Sequence, residues 1–190
     1  MSAQKPRTKT ARHKAAARKA APKSNGKLNG HNPFRVGRSR TGLGVFATEA
    51  IRKGTFIVEY TGPLLTNKEC DEIPDNRYLF EVNARWTIDG STRANVARYI
   101  NHSCRGNADP VIRDRRIRIK AIKNIEAGDE ITYDYGKDHF NAYIKPHGCQ
   151  CDKCREKRRK ERAEVRAAND RKKKRLARKI ARGAASATSA

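Results

Sequence analysis

Of the 190 residues, 44 are Lys or Arg and 20 are Asp or Glu, a formal net charge of +24. No stretch approaches the roughly 18 consecutive apolar residues of a membrane-spanning helix, and the first 33 residues lack the apolar run of a secretory signal. No membrane partner is therefore expected, and the chain is expected inside the cell, where disulfides are rare. The charge is uneven: residues 1–33 carry nine Lys/Arg and no acid, residues 34–154 carry 20 basic and 16 acidic side chains, and residues 155–190 carry 15 and four. A nearly balanced centre sits between two cationic arms.

Residues 1–33 hold one Leu and no aromatic. Such a segment cannot bury enough apolar surface to offset its chain entropy, so it reads as a disordered basic arm. It is either a solubilising tail or an arm for nucleic acid or another polyanion. From residue 34 the pattern turns β-rich. Phe56–Tyr60 is short, apolar and β-branched between Gly54 and Gly62, which suits a strand. Tyr78–Val82 and Trp86–Asp89 read likewise. A short helix is expected near Asn67–Ile73. Arg116 to Ala121 alternates strictly, with Ile117, Ile119 and Ala121 on one face and Arg116, Arg118 and Lys120 on the other, a half-buried strand with a cationic outer face. Ile131–Tyr135 is a further strand, and the spans between read as loops.

One unit recurs. Ala47, Ile51, Gly54, Ile57 and Gly62 return 74 residues later as Ala121, Ile125, Gly128, Ile131 and Gly136. Two copies are too few for a solenoid, so a pseudo-symmetric β domain is expected. Residues 155–182 are dense in Arg, Lys, Glu and Ala, good helix formers. They predict a solvated helix with one favourable i,i+4 ion pair within Glu156–Val165, stopping near Gly183, before a disordered end over 184–190.

Four clusters carry chemistry. Cys149, Cys151 and Cys154 lie within six residues, and three thiolates on a tight turn can take three corners of a tetrahedral zinc. Cys70, Cys104, His102, His139 and His147 are the candidates for the fourth. The second cluster is Arg98-Tyr99-Ile100-Asn101-His102-Ser103-Cys104, a polar run after an apolar strand. In the third, Glu130-Ile131-Thr132-Tyr133-Asp134-Tyr135, two tyrosines two apart share one strand face and suit the wall of a channel for an alkylammonium group. The fourth is Arg40-Thr41-Gly42-Leu43-Gly44. Position 47 is Ala, so the longer Gly-x-Gly-x-x-Gly fingerprint of dinucleotide sites is absent and a backbone loop that a ligand approaches closely remains.

In this order the segments resemble the SET-domain protein-lysine methyltransferases, over roughly residues 36–154. Gly42-Leu43-Gly44 matches the family's opening Gly-x-Gly and Tyr60-Thr61-Gly62 its Tyr-x-Gly. Tyr78 falls where a cofactor-contacting Tyr is usual, Asn101-His102-Ser103-Cys104 stands as the family has it, and Glu130 to Tyr135 matches the closing motif. The resemblance implies a mainly β fold of small curved sheets with a knot-like threading, flanked here by disordered or helical basic tails. It divides the chain into a basic arm (1–33), a SET domain (34–139), a post-SET zinc segment (140–156) and a basic, partly helical tail (157–190). It implies methyl transfer from S-adenosylmethionine to a protein lysine. Tyr135 is then the catalytic tyrosine, Tyr133 the Phe/Tyr switch that favours low methylation states, and Tyr60 a wall of the lysine channel. Thr41, Gly42, Leu43, Gly44, Tyr78, Asn101 and His102 hold the cofactor, and Cys104 joins Cys149, Cys151 and Cys154 on zinc.

The chain departs from the family in three ways. Its last zinc gap holds two residues rather than four, residues 1–69 contain no Cys and hence no pre-SET cluster, and the insert between Gly62 and Tyr78 is short. A monomer is expected. Its protein partner carries an exposed lysine on a histone-like tail, or on residues 1–33 themselves, where Arg7-Thr8-Lys9-Thr10-Ala11-Arg12 resembles the start of a core-histone tail. Nucleic acid is expected on the basic arms. Chromatin and a bacterial nucleoid fit that charge equally. The competing reading is an architectural nucleic-acid-binding protein with a vestigial SET core.

Overall fold

The 74-residue repeat sets the architecture. In the computed structural model, which describes residues 32–73 and 77–187, the chain opens with a hairpin of β1 (Phe34–Ser39) and β2 (Gly42–Ala47), crosses a turn and enters β3 (Phe56–Tyr60). Seventy-four residues on, the same path is taken by β8 (Ala108–Arg113), β9 (Arg116–Ala121) and β10 (Glu130–Tyr133). Each third strand pairs with the other copy: β3 lies against β9, and β10 against β2. The hydrogen bonds follow the exchange residue by residue. Ile51 and Ile125 donate their N–H groups to each other's carbonyls at 2.8 and 2.9 Å. Gly54 N–H reaches Ala121 O at 2.7 Å, and Gly128 N–H reaches Ala47 O at 2.8 Å. A pseudo-twofold axis therefore passes between Ile51 and Ile125, the two apolar residues the repeat places at its centre. Both are buried, together with Val45, Ile57, Val58, Ile100, Ile117, Ile119 and Ile131.

Between the copies lies a third, smaller sheet. It contains β4 (Leu64–Thr66), β5 (Leu79–Asn83) and β6 (Trp86–Asp89) in the order β4-β6-β5. Helix α1 (Asn67–Asp71) begins at a capping box in which Thr66 and Glu69 bond each other's backbone N–H groups. After a 3₁₀ turn over Val96–Tyr99, β7 (Asn101–His102) runs parallel to β10 at the edge of the sheet β1-β2-β10-β7. The chain then stays on β10. Ser103 N–H donates to Tyr133 O and Asn107 N–H to Thr132 O, while Thr132 N–H donates back to Asn107 Oδ1. The approach is so close that a Cβ on Gly106 would lie 2.7 Å from both Thr132 O and Tyr133 Cα, so only Gly fits. This segment carries Asn101, His102 and Cys104 into the space beside Tyr133 and Tyr135.

The expected strands at 56–60, 86–89 and 116–121 stand as read, and Ile117, Ile119 and Ala121 are the buried face of β9. The strand near Tyr78 is displaced by one residue, and the last ends at Tyr133 rather than Tyr135. The strands β1, β2, β4, β7 and β8 replace expected loops. The polar cluster follows a 3₁₀ turn, not an apolar strand. Beyond β10, α2 (Lys137–His139) continues through a π turn and a 3₁₀ turn to His147. Helix α3 (Asp152–Ala187) starts three residues before its expected range and continues through Gly183, so residues 184–187 are helical. It carries two i,i+4 ion pairs rather than one, because Lys157–Glu161 joins Lys160–Glu156. The reading of residues 1–33 lies outside the described residues except for Asn32 and Pro33. No helix among the described residues is long and apolar enough to cross a membrane.

The cationic face of β9 is partly spent inside the fold. Arg116 grips Glu59 with two hydrogen bonds, Nε to Oε1 at 2.7 Å and Nη2 to Oε2 at 2.5 Å, and the Glu59 side chain is only 7% exposed. Removing the guanidinium takes a bidentate partner from a buried carboxylate. Since Arg116 itself is 37% exposed, water recovers part of the loss. Arg116→Ala is expected to cost about 2 kcal/mol in chemical denaturation. A loss below about 0.5 kcal/mol, typical of a plain surface substitution, would show the pair to be inconsequential.

Candidate active site

The end of β3 and the end of β10 bring their tyrosines together. Tyr60, buried at the last position of β3, donates its hydroxyl to Tyr78 O at 2.7 Å and packs on Phe80 with ring centroids 5.3 Å apart. Phe80 faces Tyr133 at 6.4 Å, and Tyr133 faces Tyr135 at 5.0 Å. Tyr135 lies beyond the strand, so the two tyrosines do not share a strand face; the turn after β10 brings their rings together instead. Tyr135 donates its hydroxyl to Ile100 O at 2.5 Å. Burial pushes the hydroxyl pKa of Tyr60, Tyr133 and Tyr135 well above the ordinary tyrosine value. All three stay protonated at neutral pH, as hydrogen-bonding groups and not as bases.

His102 stands behind Tyr135, with ring centroids 5.4 Å apart. The backbone N–H of Tyr135 donates to His102 Nδ1 at 3.2 Å. That leaves the proton of the neutral ring on Nε2, which lies 3.2 Å from Cys104 Sγ. Burial lowers the His102 pKa, opposed by Asp134, and so favours the neutral ring. Asn101 ties the neighbouring strand in. Its Nδ2 donates to Leu43 O at 3.0 Å and to Glu130 Oε1 at 2.7 Å, which leaves Oδ1 as an acceptor. A Cβ on Gly44 would lie 2.5 Å from Glu130 Oε1 and 2.9 Å from Ser39 Cβ, so this network needs a residue without a side chain there.

These groups line a cleft of about 1220 Å³. Of the residues singled out in the sequence, Thr41, Leu43, Tyr60, Tyr78, Asn101, His102, Tyr133 and Tyr135 line it. Gly42 and Gly44 do not line it; Gly42 takes a positive φ of 120° at the start of β2, and Gly44 leaves room for Glu130 and Asn101. Part of the wall had no such role in the sequence, where Arg98 is only a member of the polar run and His139 only a candidate zinc ligand. Arg98 stacks 4.0 Å over the Tyr78 ring and donates to Ser91 O at 2.6 Å, and its buried Nε has no hydrogen-bond partner among the described residues. Phe140 packs on His102 at 5.3 Å, and His139 on Tyr135 at 4.8 Å and Tyr143 at 4.7 Å. The i,i+4 spacing of His139 and Tyr143 was the available signal.

At the wall of the cleft, which Cys149 and Cys151 also line, the Sγ atoms of Cys104, Cys149, Cys151 and Cys154 lie within 4.8 Å of one another. Cys104 is 3.9 Å from Cys149 and 3.7 Å from Cys154, close to the roughly 3.8 Å edge of a tetrahedron with 2.3 Å zinc–sulfur bonds. Among the five open candidates, Cys104 completes the set. His102 points its Nε2 at Cys104, His139 sits in the aromatic wall, and Cys70 and His147 fall outside the group. The short last gap has a local explanation. Cys151 stands just before α3, with Arg155 N–H donating to its carbonyl, and Cys154 falls in the first helical turn. Burial raises the Cys151 thiol pKa, but N–H groups of Cys154 and Cys104 outweigh it and bring it down to about 7. Burial pushes Cys149 up to about 11. Four converging thiols, one of them with its pKa lowered by neighbouring N–H groups, fit a zinc ion. An Arg40–Asp152 ion pair joins the β1–β2 turn to the start of α3 across the cleft rim.

A SET domain model matches residues 42–136, half of the chain. The chain belongs to the SET-domain family. Among its relatives, a putative histone-lysine N-methyltransferase, ASHH4 of Arabidopsis thaliana, is 35% identical over 136 residues, which cover 64% of this chain and 38% of the relative. The histone-lysine N-methyltransferase EHMT1 of Homo sapiens is 34% identical over 128 residues, 60% of this chain and 10% of the relative. Among solved SET-domain structures, Chaetomium thermophilum Polycomb Repressive Complex 2 bound to the ligand GSK126 superposes with a TM-score of 0.51 at 32% identity, over 60% of this chain and 17% of that one. The same complex in an autoinhibited conformation bound to S-adenosylmethionine superposes with a TM-score of 0.51 at 31% identity, over 61% and 17%. The chain thus spans well under half the length of these SET-domain proteins.

Proposed function

We propose that this SET-domain chain is an enzyme that methylates the side-chain amine of a protein lysine, with S-adenosylmethionine as donor and a histone or histone-like basic tail as acceptor. The observation that carries this reading is the aromatic channel of Tyr60, Phe80, Tyr133 and Tyr135 opening on a cleft lined by Thr41, Leu43, Tyr78, Asn101 and His102. The names of the relatives and the cofactor in the superposed complex support it. The donor supplies a methyl group already activated on a sulfonium. Thr41 to Gly44, Tyr78, Asn101 and His102 would hold it, with Asn101 Oδ1 and the unpartnered Arg98 Nε as polar groups to spare for a zwitterionic ligand.

The chain's own task is to present a neutral amine. Free lysine has a pKa near 10.4. The tyrosine rings admit the four-carbon stem and strip water from the ammonium, which lowers that pKa. The Tyr135 hydroxyl, fixed by Ile100 O, stands where it can orient the entering nitrogen. No group in the channel is placed as a base at neutral pH, so the proton passes to water. Positioning is then the main source of rate. Cys104, Cys149, Cys151 and Cys154 would hold a structural zinc that pins the start of α3 beside the cleft. The division at 34–139, 140–156 and 157–190 belongs to the same reading, with the helix starting inside the second segment. The basic arms would tether the enzyme to nucleic acid.

Tyr133 is buried beside Tyr135 and Phe80, where its hydroxyl leaves little room for a methylated amine to turn. Tyr133→Phe is expected to shift the product from mono- and dimethyl-lysine towards trimethyl-lysine, measured by mass spectrometry of a fixed peptide. An unchanged distribution would refute its role as the switch. Calorimetric titration with S-adenosylmethionine tests the reading against a vestigial core: saturable one-site binding is expected, and no binding to the folded chain would favour an architectural protein.

A further inference from the structure

Over residues 152–170, helix α3 leaves the cleft with its arginines on one face. At 100° per residue, Arg155, Arg158, Arg159, Arg162, Arg166 and Lys173 fall within one sector of about 100° that contains no carboxylate. The other side carries lysines in this stretch, two of them paired, Lys160 with Glu156 at 2.9 Å and Lys157 with Glu161 at 3.7 Å, and Arg171, Arg175 and Arg178 only further along. Among the described residues, Arg158, Arg159, Arg162 and Arg166 make no ion pair. A groove of about 1040 Å³ runs beside the five arginines; Arg155 pairs with Asp152 at 3.8 Å, Asp170 closes its far end, and it shares Gln150, Asp152 and Glu156 with the catalytic cleft.

We infer that this arginine face is a docking surface for the phosphate backbone of duplex nucleic acid, placed so that the cleft meets lysines of proteins carried on the same duplex. The inference deepens the proposed function and rests on it for its substrate. Arginine forks match phosphate oxygens bidentately and are weakly hydrated, which suits them to this partner over lysine. From Arg155 to Lys173 the face extends about 27 Å, enough to follow several successive phosphates. An anionic membrane is the poorer fit. Val165 and Leu176 are the two large apolar side chains of the helix up to residue 178, and a helix lying in a lipid interface needs a broad apolar face.

The test uses the full chain and a labelled 20-base-pair duplex of arbitrary sequence, followed by fluorescence anisotropy at several salt concentrations. Two variants of equal charge are compared: Arg159→Ala, Arg162→Ala and Arg166→Ala together, and Lys153→Ala, Lys157→Ala and Lys160→Ala together. The arginine variant is expected to lose about 10-fold or more in affinity near physiological salt, and its salt slope should flatten by about 2.7, or 0.9 for each lost phosphate contact. The lysine variant should lose less than about 2-fold. Circular dichroism should show α3 intact in both, because Ala favours helix. Equal losses in the two variants would overturn the face in favour of undirected charge. No loss in either would overturn the face and assign binding to residues 1–33 or to the basic residues beyond 170. Stronger binding to vesicles containing phosphatidylserine than to duplex, lost in the arginine variant, would assign the face to a membrane. Methylation of a free lysine peptide should be unchanged in the arginine variant, while methylation of the same sequence in a duplex-bound basic protein should fall. If no peptide is methylated but the arginine variant still loses duplex affinity, the face stands and the enzymatic reading fails.

Discussion

Tyr135→Phe is expected to slow methyl transfer by about 100-fold or more while cofactor affinity is kept. The change removes one oxygen and little volume. That oxygen is buried, protonated, and held by Ile100 O at 2.5 Å, so its position is set before substrate arrives. Removing a single preorganised polar group from an active site commonly costs two to three orders of magnitude in rate. The carbonyl of Ile100 loses its donor in the same variant, with a stability cost of about 1 kcal/mol. Single-turnover kinetics with saturating cofactor separate the two effects, since a melting shift alone leaves the rate of the folded fraction unchanged. Turnover within about 3-fold of the parent would mean that another group, with Tyr60 next in line, orients the amine.

The second large effect is expected from metal removal. The purified chain should carry one zinc, and a strong chelator or Cys104→Ala should remove it at a cost of at least about 3 kcal/mol in stability. The loss should spread in two directions. The first turn of α3 contains Cys154 and is preceded by Cys151, so far-UV circular dichroism should report fraying of the helix. His102 aims its Nε2 proton at Cys104 Sγ, so the cofactor wall should loosen and the affinity for S-adenosylmethionine should fall. Such coupling would make the metal site part of the catalytic apparatus, although it contributes no group to the reaction. Metal analysis showing no zinc in an active preparation would remove this link.

The sequence carried the site further than it carried the strands around it. The strict alternation from Arg116 to Ala121 and the 74-residue repeat were readable because burial on one face imposes period two and because a duplicated turn keeps its glycines. The repeat also held topology, since Ile51 and Ile125, equivalent in the pattern, turn out to be hydrogen-bonded to each other. Other strands lacked such marks. The strand β8 contains Pro110, which a central strand would reject and an edge strand accepts, and it turns into β9 through Asp114 and Arg115 at φ of 53° and 57° without the glycine that marks most tight hairpins. The strand β2 looked like a ligand loop because Gly42 and Gly44 dominate it, when Gly44 makes room for Glu130 and Asn101 and Gly42 takes a positive φ of 120° where the strand begins. The wall formed by His139, Phe140 and Tyr143 was faint because α2 is only three residues long and passes into a π turn, so a single i,i+4 pair, His139 with Tyr143, was its whole signal. The spacing of the three clustered cysteines suggested metal, but the partner that completes the set is 45 residues from Cys149 and is brought there by a segment held along β10. That placement is a property of the fold and has no local signature.

Under the proposed function, a lysine nitrogen receives a methyl group in the channel between Tyr60 and Tyr135. The most direct measurement incubates the purified full chain with S-adenosylmethionine bearing a deuterated methyl, with and without a core-histone mixture, and maps modified residues by tandem mass spectrometry. Deuterated methyl groups are expected on lysine Nζ, mainly one or two per lysine, on the added histones or on lysines of residues 1–33 such as Lys9, and they should be lost in Tyr135→Phe. A chain that binds the cofactor and folds with its zinc, yet places no deuterated methyl on any lysine of histones or of itself, would contradict that function.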